Sequence, residues 1–324
     1  MSVTRINMSN GVRWLAALLL DCAAAVPARA HARQPPGRDA AVVQSLRAFL
    51  IVASLAFGAE ALAQTDPLPS WNAGPARDVI VKFVQTTTDP ANPTFVPQDE
   101  RIATFDQDGT LWVEQPIYAQ VAYALDRVPA VTAKKPALKD VEPFKTVLSG
   151  NHEAITRLSP PDLEKILAAA LTGMTVEDFS VAAKTWLATA TDPRWHRRFT
   201  DLVYQPMLEV LRYLRANGYK TYIVTGGGQD FVRVYADQVY GIPPEQVVGS
   251  AGATKYGYDL HSRPVLIKEP KLLLNDNDAG KPEAIHFMIG RRPYIAVGNS
   301  SGDRQIAGVH TGWQPRAPAD ARAS

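Results

Sequence analysis

The stretch ATFDQDGTLW, residues 103–112, joins an apolar run to a turn that contains two aspartates. The overlapping run RIATF (101–105) is short and apolar, which is typical of a buried β-strand that ends at Asp106. A second aspartate, Asp108, follows two residues later and precedes Gly-Thr. Most Asp-rich turns are purely structural, so the meaning of this stretch depends on what lies at the ends of the other strands.

The composition is ordinary for a globular protein with a sizeable core. The 324 residues are 46% hydrophobic and 20% charged, with a formal net charge of +2. No block of like charges stands out, so the sequence does not indicate nucleic acid or an anionic membrane surface as a partner. Nothing in the sequence indicates an oligomeric state.

The N-terminal segment has the layout of an export signal twice. Apolar runs at 14–20 and, better formed, at 48–59 (AFLIVASLAFGA) each follow an arginine, and small residues at 61 and 63 complete a cleavage site after the second run. The second run is too short for a membrane-spanning helix, which needs about 20 residues. We expect residues 1–63 to be removed after Ala63, giving a periplasmic or secreted chain without stable membrane insertion.

Alternatives remain open for this segment. The second run could be a buried core helix, or translation could start downstream of Met1 so that only the second signal exists. The only cysteine, Cys22, fits a lipoprotein signal poorly because an aspartate precedes it. Since Cys22 lies before the expected cleavage, the mature chain would contain no disulfide and no thiol.

An all-helical block is predicted at about 113–202. Within it, segments 138–150, 159–174 and 175–190 have apolar residues at helical spacing. The last two begin with Ser-Pro-Pro-Asp and Thr-Val-Glu-Asp, which are capping-box arrangements at a helix start.

Around this block, strands and helices alternate. Strands are predicted at 101–105, 220–225, 246–250 and 293–298, a hairpin at 254–268, and helices at 76–87, 205–216, 230–241 and 281–289. This alternation predicts an α/β fold: a Rossmann-like parallel sheet with helices on both faces, into which the all-helical block is inserted.

Polar side chains follow three of the predicted strands. Asp106 and Asp108 end the first, Thr225 and three glycines end the second, and Asn299 and Asp303 follow the last. Ligands bind at the carboxyl ends of strands in such sheets. Carboxylates from two strand ends can share a divalent cation such as Mg²⁺, and a hydroxyl with glycine N–H groups at a helix start can bind an anion.

These features together resemble the haloacid dehalogenase superfamily of hydrolases. Its four motifs are DxDGT, a strand-ending Thr or Ser, a Lys, and an acidic GDSxxD-like loop, and all four elements occur here in order. The stretch 205–250 further resembles the phosphoserine-phosphatase-like branch, in which a helical cap of the C1 type lies between the first two motifs. The resemblance covers roughly residues 75–305.

The resemblance implies a division of the chain. The α/β core would comprise residues 64–112 and 203–305, the helical cap residues 113–202, and an atypical tail residues 306–324.

The resemblance also implies catalytic roles. Asp106 would be the nucleophile that attacks phosphorus and forms an aspartyl-phosphate. Asp108 would protonate the leaving alcohol and then activate the hydrolytic water. Thr225, Gly226 and Lys281 would bind the transferring phosphoryl group, although Lys268 and Lys271 also precede the last motif.

The implied cofactor is Mg²⁺, held by Asp106, Asp108, Asn299 and Asp303. Asn299 stands where the family usually has a metal-binding Asp, and since an amide contributes no charge, we expect weaker metal binding.

The implied activity is Mg²⁺-dependent hydrolysis of a small phosphorylated substrate. Asp108 argues against dehalogenation, because the family's dehalogenases lack an acid there and need no metal. Two alternatives stay open: transfer of the phosphoryl group to an alcohol acceptor, and a truncated, inactive remnant. The candidate specificity residues in the cap are His152, Arg157, Trp195, His196 and Arg197.

The tail departs from the family pattern. The family continues past Asp303 with another strand, but residues 309–324 have no strand or helix pattern. Read one nucleotide out of frame from Ile306, the codons permit Met-Leu-Glu-Tyr-Thr-Gln-Ala-Gly, which is similar to the family at that place. We therefore expect a one-base insertion near codon 306, which the nucleotide sequence would test. A genuine tail would leave the sheet without an edge strand.

Overall fold

The computed structural model describes residues 66–306. The predicted export signals, Cys22, the cleavage after Ala63 and the tail from residue 307 lie outside the described residues. Among the residues described, no helix combines the length and the apolar character that crossing a membrane requires.

Five strands form one sheet in the order β4-β3-β2-β1-β5. They are β1 Ile102–Phe105, β2 Lys220–Gly228, β3 Val247–Tyr258, β4 Pro264–Leu274 and β5 Ile295–Val297. The neighbouring strands β3, β2, β1 and β5 are parallel to one another, whereas the edge strand β4 is antiparallel to β3. The predicted Rossmann-like α/β fold is confirmed, with a sheet that is mostly parallel because β4 is antiparallel.

Helices surround this sheet. In chain order they are α1 Pro75–Thr88, α2 Ala119–Lys134, α3 Phe144–Leu148, α4 His152–Thr156, α5 Pro160–Leu171, α6 Val176–Thr189, α7 Gln205–Ala216, α8 Gln229–Arg233, α9 Ala236–Tyr240 and α10 Gly280–Ala284. A π-helical turn, Ile285–Ile289, continues α10.

The sheet is covered on both faces. Ile223 and Val224 are adjacent in β2 and therefore point to opposite faces. Ile223 packs in a cluster with residues of α1 and α7, while Val224 packs with Ala284 of α10 and with the turn that follows it. All four residues of β1, which lies between β2 and β5, are buried, as expected for a parallel strand covered on both sides.

The helical block packs in two places. Residues of α2, α3 and α5 form a cluster of their own, which includes Val128, Phe144 and Ile166. Helix α6 instead places Phe179 and Leu187 in the large cluster that also contains β1 and β2 residues. Helix α6, together with Ala119 and Tyr123 in the first turns of α2, therefore shares the core of the sheet.

The block also joins the sheet edge through β4. Gly173 N donates to Lys268 O at 2.9 Å, and Lys268 N donates to Met174 O at 2.9 Å. The Lys268 ammonium pairs with Asp230 and lies 4.8 Å from the centre of the Phe179 ring. The backbone of Lys268 thus connects the edge strand to the loop before α6, and its side chain contacts α6 and α8.

Three predicted elements differ from the structure. The helix predicted at 138–150 is confined to α3, because Pro143 lacks an N–H and cannot lie within a helix without losing a hydrogen bond. The helix predicted at 230–241 is divided into α8 and α9 at Tyr235, which leaves the helical backbone conformation and stacks on Trp112 at 4.7 Å. The strand predicted at 246–250 continues into the hairpin as one strand, β3.

Candidate active site

The ends of β1, β2 and β5 meet at one edge of the sheet. Phe105 is paired with Ile223 of β2 and with Val297 of β5. The next residue, Asp106, donates its backbone N–H to Val297 O at 2.8 Å. The pairing therefore places Asp106 between Thr225 on one side and the loop after β5 on the other.

Lys281 connects the ends of all three strands. Its Nζ donates to Asp106 Oδ1 at 2.6 Å, to Asp303 Oδ1 at 2.7 Å and to Val224 O at 2.9 Å. The side chain is only 2% exposed. Of the three candidate lysines, the structure brings Lys281 to Asp106, whereas Lys268 pairs elsewhere and Lys271 is exposed.

The charges of this group influence one another. Burial raises the pKa of Asp106 and outweighs the opposing effect of Lys281. Burial also acts to raise the pKa of Asp303, but hydrogen bonds from Lys281 and Ser300 outweigh it and the pKa is lowered. Burial acts to lower the pKa of Lys281, yet its two carboxylate partners raise it, so this lysine remains a cation.

Asp108 is held apart from Lys281. Its Oδ1 accepts a hydrogen bond from Trp112 Nε1 at 2.8 Å. A Cβ atom at Gly227 would lie 3.7 Å from Asp108 Oδ2 and 3.3 Å from Thr225 Oγ1, so Asp108 faces the glycine turn after β2. Burial of the carboxyl raises its pKa to about 6, against the opposing hydrogen bond from Trp112. Near neutral pH this group can therefore exchange a proton.

The glycine turn after Thr225 is held by the protein itself. Thr225 Oγ1 accepts from Gly227 N at 3.0 Å, and Gly228 N donates to Gln120 Oε1 at 2.7 Å. Gly226 O accepts from Ser250 Oγ at 2.8 Å. Two of the N–H groups expected to bind an anion are thus already used, one of them by a cap helix residue that sequence reasoning missed.

The Asn299 amide lies above Gly109. One terminal atom of the amide is 3.2 Å from Asp106 Oδ2, 3.1 Å from the Asp108 carbonyl oxygen and 3.3 Å from Thr110 Oγ1. The other, Nδ2, is 3.3 Å from Glu114 Oε1. Gly109 has a φ of +80°, and a Cβ atom there would lie 2.0 Å from Asn299 Nδ2, so only glycine leaves room for the amide.

The donor set at Asn299 fits Mg²⁺. A carboxylate oxygen of Asp106, the backbone carbonyl of Asp108 and the amide oxygen of Asn299 converge there, and Mg²⁺ prefers oxygen ligands. Within residues 66–306 there is no group of three or more His, Cys, Asp or Glu side chains placed to hold a metal. Any cation here would therefore depend on this mixed set of donors.

Asp303 does not add a free carboxylate to this set. Its Oδ1 accepts from Lys281, and its Oδ2 accepts from the N–H groups of Asn299 and Ser300 and from the Ser300 hydroxyl. The structure places Asp303 at the predicted edge, where it orients the loop and Lys281. Its role as a metal ligand stays a prediction.

Asp276 is a site residue that sequence reasoning missed. It is fully buried, and neither carboxylate oxygen makes a hydrogen bond of acceptable geometry within the described residues. Burial raises its pKa to about 7, opposed by Lys281 and by the nearby backbone of Thr225. The signal available in the sequence was the run NDND (275–278) directly before the Lys281 helix.

The five candidate specificity residues make local contacts in the cap. Arg157 pairs with Glu153, and the Trp195 ring lies 4.6 Å beneath the Arg194 guanidinium. The remaining candidates, His152, His196 and Arg197, are exposed. The structure does not bring these five residues to the strand ends.

Sequence comparison assigns the family. The sequence model of the family described as haloacid dehalogenase-like hydrolase matches residues 103–308, well over half of the chain, and the protein belongs to this family. The matched region contains all four of the motif elements predicted from the sequence. A comparison with curated proteins found no match.

The similarity of this protein to solved structures is more distant. A conserved protein of unknown function from Anaerococcus prevotii is 14% identical over 70% of this chain and 81% of its own, with a TM-score of 0.45. A protein of unknown function from Bordetella pertussis is 17% identical over 66% of this chain and 97% of its own (TM-score 0.39). A phosphoserine phosphohydrolase-like protein from Francisella tularensis is 19% identical over 64% of this chain and 82% of its own (TM-score 0.34). Likenesses at this level do not assign an activity.

Proposed function

We propose that this hydrolase is an Mg²⁺-dependent phosphomonoesterase that acts on a small phosphorylated substrate through an aspartyl-phosphate. The observation that carries the proposal is the buried ion pair of Asp106 and Lys281 beside a second aspartate, Asp108, whose pKa is raised to about 6. The Lys281 ammonium fixes the Asp106 carboxyl in place, and the Asp108 carboxyl can hold a proton. Nucleophilic catalysis with general acid assistance needs this division of roles.

Three residues would carry out the two steps of phosphomonoester hydrolysis. The Lys281 ammonium orients the Asp106 carboxylate, which attacks phosphorus and forms the acyl phosphate. The protonated Asp108 carboxyl donates its proton to the departing alcohol oxygen. The resulting Asp108 carboxylate then accepts a proton from the water that hydrolyses the acyl phosphate, which restores both groups.

The cation would be held by the Asp106 carboxylate, the Asp108 carbonyl and the Asn299 amide. Bound Mg²⁺ would supply positive charge that offsets the repulsion between the Asp106 carboxylate and the substrate phosphate. Thr225, Gly226 and Lys281 are the proposed phosphoryl-binding residues. Thr225 and Gly226 lie towards the carboxyl end of β2, and Lys281, at the start of α10, contacts the Asp106 carboxylate.

The first test is turnover of p-nitrophenyl phosphate by the full chain, with and without Mg²⁺, beside the Asp106→Asn variant. We expect Mg²⁺-dependent turnover in the parent and a loss of at least about 10³-fold in the variant, because an amide is a poor nucleophile. Asp237→Asn, the same change at an exposed position of α9, is the matched control. Reduction of the working enzyme with borohydride should convert phosphorylated Asp106 to homoserine, detectable by mass spectrometry. Turnover that survives in Asp106→Asn would exclude the proposed nucleophile.

A further inference from the structure

The candidate cation site is short of negative charge. Asp303 Oδ1 and Asp106 Oδ1 are both committed to Lys281, which leaves Asp106 Oδ2 as the charged oxygen facing Asn299. The other two donors, an amide and a backbone carbonyl, are neutral. A divalent cation in such a site would be weakly held unless another carboxylate contributes.

Glu114 places a carboxylate beside this site. Its Oε1 lies 3.3 Å from Asn299 Nδ2. Its carboxyl carbon would lie 2.9 Å from a Cβ atom at Gly109, so Glu114 and Asn299 pack together over the bare backbone of that glycine. Its negative charge also contributes to the raised pKa of Asp108. Glu114 is therefore close enough to influence the site without being one of the converging donors.

The amide of Asn299 can adopt two orientations that exchange its oxygen and nitrogen. In one, Nδ2 donates to Glu114, and Oδ1 accepts from the Thr110 hydroxyl at 3.3 Å. In this orientation Oδ1 also faces Asp106 Oδ2 and the Asp108 carbonyl, two further acceptors whose repulsion a bound cation would offset. In the other, the nitrogen donates to those oxygens and the amide oxygen faces the Glu114 carboxylate, where two acceptors repel. Glu114 thus favours the orientation that a cation requires.

We propose that Glu114 is a positioning residue for the cation site: it turns the Asn299 oxygen inward and supplies the negative charge that the asparagine lacks. This inference rests on the proposed Mg²⁺-dependent function. Outer groups that orient metal ligands commonly change metal affinity by about 10- to 100-fold.

The experiment measures binding of Mn²⁺ alone to the full chain, from the loss of the free-ion signal in electron paramagnetic resonance, with Mg²⁺ as competitor. We expect Glu114→Gln to weaken Mn²⁺ binding by about 10-fold or more. The control is Glu245→Gln, which removes the same charge. Glu245 lies just before β3, at the amino-terminal end of the parallel strands and away from the cation site, so this variant should bind Mn²⁺ like the parent. Metal-free thermal unfolding of each variant shows whether the fold is intact.

A double-mutant cycle with Asn299→Asp separates positioning from a general structural role. An aspartate at 299 brings its own charge and has no amide to orient, so the Glu114→Gln change should cost little in that background. An equal loss of affinity in both backgrounds, unchanged affinity in Glu114→Gln, or a parent that binds no Mn²⁺ would each overturn the inference. A parent that binds Mn²⁺ in a Glu114-dependent way but hydrolyses no phosphomonoester would retain the inference and exclude the proposed function.

Discussion

The residues of the site differ in how visible they are in the sequence. Asp106, Thr225 and Lys281 each follow a strand or begin a helix, and since parallel strands end at one edge of a sheet, their meeting could be predicted. Glu114 and Asp276 could not be found this way, because they lie in irregular loops whose direction depends on how the chain packs around Gly109 and Ser250.

Asp276 gives a prediction for stability against pH. Its folded pKa of about 7 lies above its ordinary value of 3.8, so between these values the folded chain retains a proton that the unfolded chain has released. Stability therefore falls as the pH rises through this window, and the full penalty is present above it. Asp276→Asn should remove this penalty. Its free energy of unfolding relative to the parent should therefore be higher at pH 8 than at pH 4.5, by on the order of 3 kcal/mol.

Urea unfolding of the metal-free full chain at both pH values measures this difference. Asp237→Asn makes the same change at an exposed position and should show no pH-dependent gain. A gain of the same size at both pH values would mean that Asp276 does not titrate in this range.

At the scale of the element, the periodic segments were predictable and the interrupted ones were not. Helices α1, α5, α6 and α7 occur where apolar spacing and end residues agree. The helices predicted at 138–150 and 230–241 were too long. Apolar spacing does not show that a proline interrupts the first, or that Tyr235 leaves the second to stack on Trp112.

The two predicted capping boxes, at the starts of α5 and α6, differ in the structure. Ser159 accepts from Asp162 N, and the Asp162 side chain in turn bonds the Ser159 N–H, whereas Thr175 shows only the bond from Asp178 N. Ser159→Ala should destabilise the protein by about 1 kcal/mol, because α5 loses both its cap and the anchor for Asp162. Urea unfolding measures the loss, with Ser180→Ala, the same change at an exposed position inside α6, as control. No change in Ser159→Ala would show that this helix end does not contribute to global stability.

At the scale of the whole molecule, the insertion shares part of its core with the sheet, which no sequence pattern indicated. Phe179 of α6 lies in the large cluster with β1 and β2 residues, and Phe144 of α3 lies in the separate cluster. Whether a helix of the block packs on itself or on the sheet is decided by tertiary contacts that periodicity does not encode.

Phe179→Ala should therefore lower the free energy of unfolding of the entire protein by about 3–5 kcal/mol, the usual cost of removing a buried aromatic ring. Phe144→Ala is the comparison, since its cavity would fall in the cluster confined to α2, α3 and α5. Unfolding followed by both circular dichroism and tryptophan fluorescence should give one coincident transition for Phe179→Ala. Separate transitions by the two probes would show that α6 unfolds independently of the sheet.

The pairing of Lys268 with Gly173 and Met174 also has a consequence for folding. A long edge strand with free N–H and C=O groups is a template on which a strand of another chain can add. The loop before α6 occupies part of that edge on β4, beside which Leu272 and Leu273 are exposed. A chain whose helical insertion has not yet docked offers the whole edge, so the order in which these parts fold governs how readily copies of the protein aggregate.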